Sequence, residues 1–225
     1  MAAGAKIVII GLGETAEIAH EYFTHDSRHS VAAFSAESQF LESKSFCGLP
    51  VVPFEELTEH YDPSDYAAFV AVSSTQLNRV RARLFREVRA LGFRCVSYVS
   101  SRAFVWPTVE IGENAFIFEN NVLQHKVRIG DDVVLWSGNH VGHQTVIHDH
   151  SFVSSHVVIS GFCEIGESSF LGVNATFADG VKTGRDVVVG AGAVVIRDLE
   201  TRGVYVGNPA RATGRDSLET FSVRA

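Results

Sequence analysis

The sequence predicts a two-part chain: an α/β domain over residues 1–98, an all-β parallel β-helix over 99–206, and a tail over 207–225. Three observations carry this. From Val105 to Val195 every sixth residue is apolar in fifteen of sixteen positions, Thr183 being the exception. Glycine follows that residue at Gly112, Gly130, Gly142, Gly166, Gly172, Gly184 and Gly190, and the residue four after it is small or aliphatic, as in Val109, Ala115, Val127, Ala175 and Ala193. Near the start, an apolar run over 6–10 leads into a glycine turn and a helical stretch.

A period of six belongs neither to a helix nor to a simple strand. It reads as a short strand and a tight turn, repeated, with the aliphatic residue and the small residue four later pointing inward. Three units close a triangular coil. Coils stack at about 4.8 Å, so the segment makes between about five and six of them, a prism roughly 25–30 Å long. The phase does not slip between Val99 and Val195. Flat prism faces would leave wide apolar strips, so a closed homotrimer burying one face per subunit is expected.

In the first domain, Gly11-Leu12-Gly13-Glu14-Thr15-Ala16 follows the first strand and opens a helix running to about Phe23. That is the G-x-G-x-x-[GA] fingerprint of a Rossmann-like domain in its required strand–turn–helix context. A second strand is expected at Val31–Phe34 and a third at Ala67–Val72, ending at Ser73-Ser74-Thr75. An Arg-rich amphipathic helix is expected at Leu77–Leu91, and a last strand at Phe93–Tyr98.

Composition bounds the function. The chain is 46% hydrophobic with sixteen Phe and two Trp, enough for packed cores. Its formal charge is −7 and no Lys/Arg cluster tracks a phosphate backbone, which argues against nucleic acid. The early run Ile7–Ile10 is too short to span a bilayer or serve as a signal-peptide core, so no membrane insertion and a cytoplasmic location are expected. Cys47, Cys95 and Cys163 are odd in number and lack CxxC spacing. They read as reduced, buried thiols rather than a disulfide framework or a zinc site.

The [LIV]-G-x-x-[AV]-x hexapeptide resembles that of the left-handed β-helix acyltransferases. With the strand–glycine–helix start and the tail Val204-Tyr205-Val206-Gly207-Asn208-Pro209-Ala210-Arg211, which matches a G-x-P-A-[KR] motif, nearly the whole chain resembles the bacterial sugar acetyltransferases of the sialic-acid O-acetyltransferase-like group. That group includes nucleotide-sugar N-acetyltransferases. The resemblance implies the left hand of the helix, a trimer, a nucleotide-linked amino sugar on the first domain, and acetyl-CoA as co-substrate in a groove between two prisms. It implies acetyl-CoA contacts at Gly161, Ala191, Pro209 and Arg211, and sugar-nucleotide contacts at Gly11, Gly13, Glu14, Thr15 and Ser35. No metal is expected. Two positions depart from the group: Glu14 and Thr15 replace the Gly and His of its usual turn, and Phe34 is followed by Ser35 and Ala36 where an acid is usual.

Six of the ten histidines lie between 125 and 156. His143 stands two after Val141, outward at a corner, where the group carries its catalytic histidine in a segment read here as Trp136-Ser137-Gly138-Asn139-His140-Val141-Gly142-His143-Gln144. The resemblance makes His143 the general base, and imidazole is the side chain whose ordinary titration lies nearest cellular pH. Gln144 replaces the usual neighbouring acid, and orients the imidazole by hydrogen bonding. The Gly161 backbone N–H is the expected oxyanion donor. His125, eighteen earlier, stacks one coil below, where it is expected to orient substrate or to act on the base by like-charge repulsion, a plain surface histidine being the alternative. His156 shares a column with Asn120, Gly138 and Asn174 and meets substrate from a neighbouring subunit. Asn121 and Asn139 read as an internal ladder, and His140, His148 and His150 as solvated or subunit-packing residues. Three alternatives stay open: O-acetylation of a sugar hydroxyl, a γ-carbonic-anhydrase-like zinc enzyme using the same histidines, and a non-catalytic sugar-binding scaffold.

Overall fold

The structure, a computed structural model, describes residues 4–223. Two-residue strands recur every six residues from Tyr98–Val99 to Val194–Val195, with only isolated bridges at Lys182 and Thr183. Each pairs in parallel with the strand eighteen residues on. The result is a three-sided prism. A covered face runs from Tyr98–Val99 to Val188–Val189, an open face from Phe104–Val105 to Val194–Val195, and a charged face from Glu110–Ile111 to Glu164–Ile165. The inward aliphatic ladder forms one continuous buried core, each side chain contributing about 1.5–3 kcal/mol. Asn121 and Asn139 point into it and donate to the Trp136 carbonyl.

Corners impose the sharpest constraint. All fourteen corner residues at steps of six from Asn114 to Gly192 have φ between 55° and 79°. This left-handed region costs an L side chain about 1–2 kcal/mol. The corner N–H offsets it by donating to the coil below, as from Gln144 to the His125 carbonyl at 2.9 Å and from His150 to the Asp131 carbonyl at 2.8 Å. Glycine after the aliphatic residue answers a different constraint: a Cβ at Gly172 would lie 2.6 Å from the Ala191 nitrogen of the next coil. After Val195 the register shortens, pairing Thr183 with Leu199 and Val189 with Tyr205. An antiparallel hairpin, Gly203–Val206 with Arg211–Asp216, closes that end.

The first part is an α/β layer: β1 (Lys6–Ile10), α1 (Glu14–His25), β2 (Ser30–Ala36), β3 (Ser45–Phe46), β4 (Leu49–Pro53), α2 (Leu57–His60), β5 (Tyr66–Val70) and α3 (Arg79–Ala90). The sheet order is β3-β4-β2-β1-β5, parallel except for β3. Its boundaries differ from the sequence expectation in several places, the third strand ending at Val70 rather than Val72 and α3 starting at Arg79 rather than Leu77 among them. The second strand runs two residues further, to Ala36. The β3–β4 hairpin was invisible to periodicity because it is short and interrupted by Pro50. The expected strand at Phe93–Tyr98 reduces to a bridge between Cys95 and Ala68 and the first rung of the prism.

The layer packs on the covered face, whose outward residues are aromatic. Phe69 meets Phe116 edge-on at 5.1 Å between ring centroids, Tyr22 meets Phe118 at 5.1 Å, and Phe118 stacks on Trp136 at 4.6 Å. Polar fasteners flank this seam. At the end of α1, Asp26 accepts from the Tyr98 hydroxyl at 2.6 Å, the Ser100 hydroxyl at 3.2 Å and the Ser101 N–H at 2.9 Å. Along one edge, the corner residues Asn114, Asp132, His150, Ser168 and Asp186 are all buried against α3 and the strand and loop before it. We call this the anchor corner. His150, expected to be solvated or to pack between subunits, is 6% exposed there and bonds Asp132 through Nδ1 at 2.9 Å.

The other two faces differ in kind. The open face leaves Phe104 52%, Trp106 47% and Ile196 50% exposed. The charged face carries the Lys182–Glu164–His148 ladder, with His148 to Glu164 at 3.0 Å. Cys95 and Cys163 are buried, and burial pushes the Cys95 thiol up to about 12. Cys47, expected to be buried, is exposed because it sits in the turn between β3 and β4. No helix among the described residues is long and apolar enough to cross a membrane.

Two outcomes are expected. Gly172→Ala forces its Cβ against backbone rather than a movable side chain, so it should cost about 1–3 kcal/mol, a fall in Tm of several degrees measured by circular dichroism. Burial acts to raise the Asp26 carboxyl, but its three donors outweigh this and hold it at about 2, below the ordinary 3.8. Its contribution is therefore present above pH 3.8 and lost as pH falls through about 2. Asp26→Asn should lower Tm at neutral pH, with the gap to the native protein closing over that acid range in a pH series of melts.

Candidate active site

His143 stands exposed at the corner between the open and charged faces. Its backbone N–H donates to Gln124 Oε1 at 3.0 Å, which fixes the turn from the coil below. Its ring lies over Gly161 of the coil above: a Cβ on Gly161 would fall 2.5 Å from Cε1 and 2.8 Å from Nε2. Phe162 closes one side, edge-on at 4.8 Å between centroids. Among the described residues, neither ring nitrogen of His143 has a hydrogen-bond partner. The imidazole is thus held by shape, on a bare Cα, with both nitrogens open to an incoming group.

Around it, expectation and structure differ in part. His125 lies on the same corner one coil below, its Nδ1 paired with Thr108 Oγ1 at 2.9 Å. Gln144 takes the left-handed corner position, φ 57°, exposed beside the histidine, and no hydrogen bond joins it to the ring. The Gly161 N–H, expected to meet an oxyanion, is already donated to Asp179 Oδ1 at 2.8 Å. In this structure Gly161 serves by its missing side chain, and its amide is engaged. The sequence signals for Phe162 and Asp179 were their columns, one and two coils above Gln144 and His143, which motif reading passes over.

The remaining prism candidates are elsewhere on the chain. His156 and Asn174 occupy the corner between the covered and open faces, with φ of 60° and 59°. The His156 ring also packs on a glycine, but in the opposite sense: Gly138 lies one coil below it, whereas Gly161 lies one coil above His143. Ala191 is exposed on that same edge. Within one chain these residues do not meet His143. Pro209 and Arg211 are exposed at the closing hairpin, where Arg211 and Arg197 line a pocket of about 300 Å³. The six histidines of 125–156 spread over three corners and two faces. Among the described residues, no group of three or more His, Cys, Asp or Glu side chains is arranged to hold a metal ion.

A larger pocket, about 500 Å³, opens at the carboxyl ends of β1, β2 and β5. This is where open parallel sheets take ligands. Gly11 and Gly13 line it. Gly11 is required there: its φ is 132°, and a Cβ would lie 2.6 Å from the Ala71 carbonyl oxygen. Glu14 and Thr15 start α1 but do not line the pocket, and Ser35 is fully buried behind it. The residue after β2 is Glu37, which does line the pocket and accepts from Arg83 Nη2 at 3.0 Å. The acid that the sequence reading found missing is therefore present. It was missed because the strand was ended at Phe34 instead of Ala36.

Sequence and structure comparisons agree with this layout. The chain matches the bacterial transferase hexapeptide (six repeats) family over residues 108–143 and 127–161, and the hexapeptide repeat of succinyl-transferase over 164–197. It is similar to a histidine-to-asparagine variant of perosamine N-acetyltransferase from Caulobacter crescentus, solved in complex with CoA and GDP-perosamine: 30% identity, TM-score 0.85, covering 94% of this chain and 98% of that one. It is also similar to the acetyltransferase domain of PglB from Neisseria gonorrhoeae FA1090 in complex with acetyl coenzyme A, at 25% identity and TM-score 0.82, covering 93% and 100%. WeeI from Acinetobacter baumannii AYE shares the fold, at 21% identity and TM-score 0.77, covering 92% and 99%. The hexapeptide family matches and the likeness to perosamine N-acetyltransferase over nearly the whole chain make this an acyltransferase. The chain belongs to the bacterial sugar acetyltransferases of the left-handed β-helix type.

Gly161→Ala tests the seat of the imidazole. The clash is with a side chain that can swing, so the fold should survive while the ring is displaced. A displacement of about 1 Å can cost up to about 10²-fold in rate. We expect kcat to fall at least about tenfold with Tm nearly unchanged, measured by steady-state thiol release and thermal melts.

Proposed function

We propose that this enzyme transfers the acetyl group of acetyl-CoA to the amino group of a nucleotide-linked sugar, with His143 as general base. The observation that carries the reading is the seat of His143: an exposed imidazole with both nitrogens unpaired among the described residues, resting on the bare Cα of Gly161. A histidine is also the residue altered in two structures of the perosamine enzyme, which hold CoA and GDP-perosamine.

In the reaction, the amine nitrogen attacks the thioester carbonyl as His143 takes its proton. The C–N bond forms, the C–S bond breaks, and the imidazolium returns the proton to the departing thiolate. Such base catalysis typically supplies about 10²–10⁴-fold. With the Gly161 N–H donated to Asp179, it meets the oxyanion only once Asp179, which is exposed, moves aside.

Residues 1–98 act as a Rossmann-like domain for the sugar nucleotide, with Gly11, Gly13 and Glu37 at the pocket wall. Residues 99–206 form the transferase prism, with His125 and Gln144 flanking the base. The tail from 207 brings Pro209 and Arg211 to acetyl-CoA, alongside Ala191. His156 and Asn174 serve a site completed by a neighbouring subunit. Two facts favour a homotrimer closed through the open face: that face exposes Phe104, Trp106 and Ile196, and no prism residue lines the sugar-nucleotide pocket. We assign the enzyme to the cytoplasm.

The test is thiol release from acetyl-CoA with GDP-, UDP- and dTDP-linked amino sugars and their hydroxyl counterparts. Turnover with an amino sugar, lost by about 10²–10⁴-fold in His143→Ala, is expected. An unchanged rate in that variant removes His143 from the mechanism. Turnover confined to hydroxyl acceptors replaces N- with O-acetylation.

A further inference from the structure

The anchor corner holds a buried charged network that the chemistry above does not use. Arg81 of α3 is 1% exposed and Asp132 is fully buried. The Arg81 guanidinium meets Asp132 Oδ1 through Nε at 3.1 Å. Its Nη2 donates to the backbone carbonyls of Asp132 at 3.1 Å and His150 at 3.0 Å. Its Nη1 reaches the other way, to the Ser73 carbonyl at 3.2 Å and the Val72 carbonyl at 3.5 Å. Asp132 is further held by Asn114 Nδ2 at 2.8 Å and His150 Nδ1 at 2.9 Å. Asn114 in turn exchanges two hydrogen bonds with the backbone of Val70 at the end of β5.

Two features of this network stand out. The first is what Arg81 grips on the layer side. Val72 lines the 500 Å³ pocket, as do Val80 and Leu84 on the flanks of Arg81, and Arg83 holds the pocket's Glu37. The second is what it grips on the prism side. Asp132 and His150 are the anchor-corner residues at the two ends of the coil that carries His143. One guanidinium therefore bridges the wall of the acceptor pocket and the coil of the base.

A buried ion pair is weak evidence for stability, because desolvation offsets its attraction, while specificity of arrangement is the better attested use. We infer that Arg81, with Asp132 and His150, is a positioning residue that fixes the wall of the sugar-nucleotide pocket against the prism. This rests on the pocket being the sugar-nucleotide site. Loosening the pair lets the loop at Val72–Ser73 and the start of α3 drift, and the pocket loses its shape before the base is disturbed.

The test is steady-state kinetics on the full-length enzyme with GDP-perosamine, or with whichever of the UDP- and dTDP-linked amino sugars saturates the native protein. Arg81→Lys keeps the charge; Asp132→Asn keeps bulk but takes the carboxylate from the buried guanidinium, so its Tm is measured alongside its kinetics. Each should raise KM for the sugar nucleotide about tenfold and leave KM for acetyl-CoA within about twofold. A merely structural role would lower apparent kcat through loss of folded enzyme and move neither KM. Arg81→Met leaves the buried Asp132 without its guanidinium partner, held only by Asn114 and His150, and is expected to melt early. The double variant Arg81→Met/Asp132→Asn removes both charges, so it should recover Tm while keeping the raised KM. An unchanged sugar-nucleotide KM in the folded variants overturns the positioning role alone. No saturation of the native protein by any of the three sugars overturns the nucleotide-sugar reading, and the positioning role with it.

Discussion

The left-handed corner residue is the constraint on which the rest of this molecule depends. A prism coil closes only if the chain turns sharply three times, and from Asn114 to Gly192 every turn passes through positive φ. At most corners the conformational cost is met by the corner N–H, which bonds a carbonyl one coil below, or at Lys126 the Thr108 hydroxyl. The repeat is therefore locked along the axis as well as around it. Side chains at a given step then stack in columns, and each column acquires one task. Asn114, Asp132, His150, Ser168 and Asp186 hold the α/β layer. Lys126, Gln144, Phe162 and Gly180 flank the histidine corner. Asn120, Gly138, His156, Asn174 and Gly192 edge the open face. Several of these are Asn, Asp or Gly, the types that tolerate the conformation best. Gln144 and His156 therefore satisfy a backbone demand as well as any chemical one.

Differentiation of the three faces follows from which side chains the columns turn outward. Aromatic residues on the covered face recruit α1 and the sheet. Charged pairs on the charged face keep it solvated. The open face is left with exposed Phe, Trp and Ile, the kind of surface that closed oligomers bury. The layer is held by apolar area and by buried polar contacts together. Removing one partner from such a buried pair leaves an uncompensated charge, at a cost of about 3–5 kcal/mol.

Much of the prism was legible in the sequence because its period is covalent: every sixth residue faces the core, and Val99 to Val195 never breaks step. The same register placed His143 outward at its corner. The α/β layer was less legible. Its strands β1 and β5 are buried along most of their length, so they show apolar runs without alternation, and a strand end can slip by two residues unnoticed. That slip hid Glu37. The β3–β4 hairpin, broken by Pro50, gave no periodic signal. Within the site, motif reading found His143 but not its seat. Gly161 was noted for its amide, whereas the structure uses its missing Cβ. Phe162 and Asp179 are neighbours across coils, meeting His143 and Gly161 at separations of nineteen and eighteen residues that only the closed prism brings together. Arg81 was read as one of several arginines on an amphipathic helix, and nothing local marks it as the one that is buried.

The anchor corner also limits how such a chain can vary in length. Hexapeptide prisms are modular, and a whole coil added to the core leaves every other coil self-consistent. Here four successive coils are bolted at their five anchor corners to a single loop and helix of fixed span, from Val70 opposite Asn114 to Arg79 opposite Asp186. A coil inserted or deleted between those bolts would put the bracket out of step with the rail. Length can change freely only above Asp186 or below Asn114. The stretch that carries the histidine is thereby made the least adjustable part of an otherwise extensible scaffold.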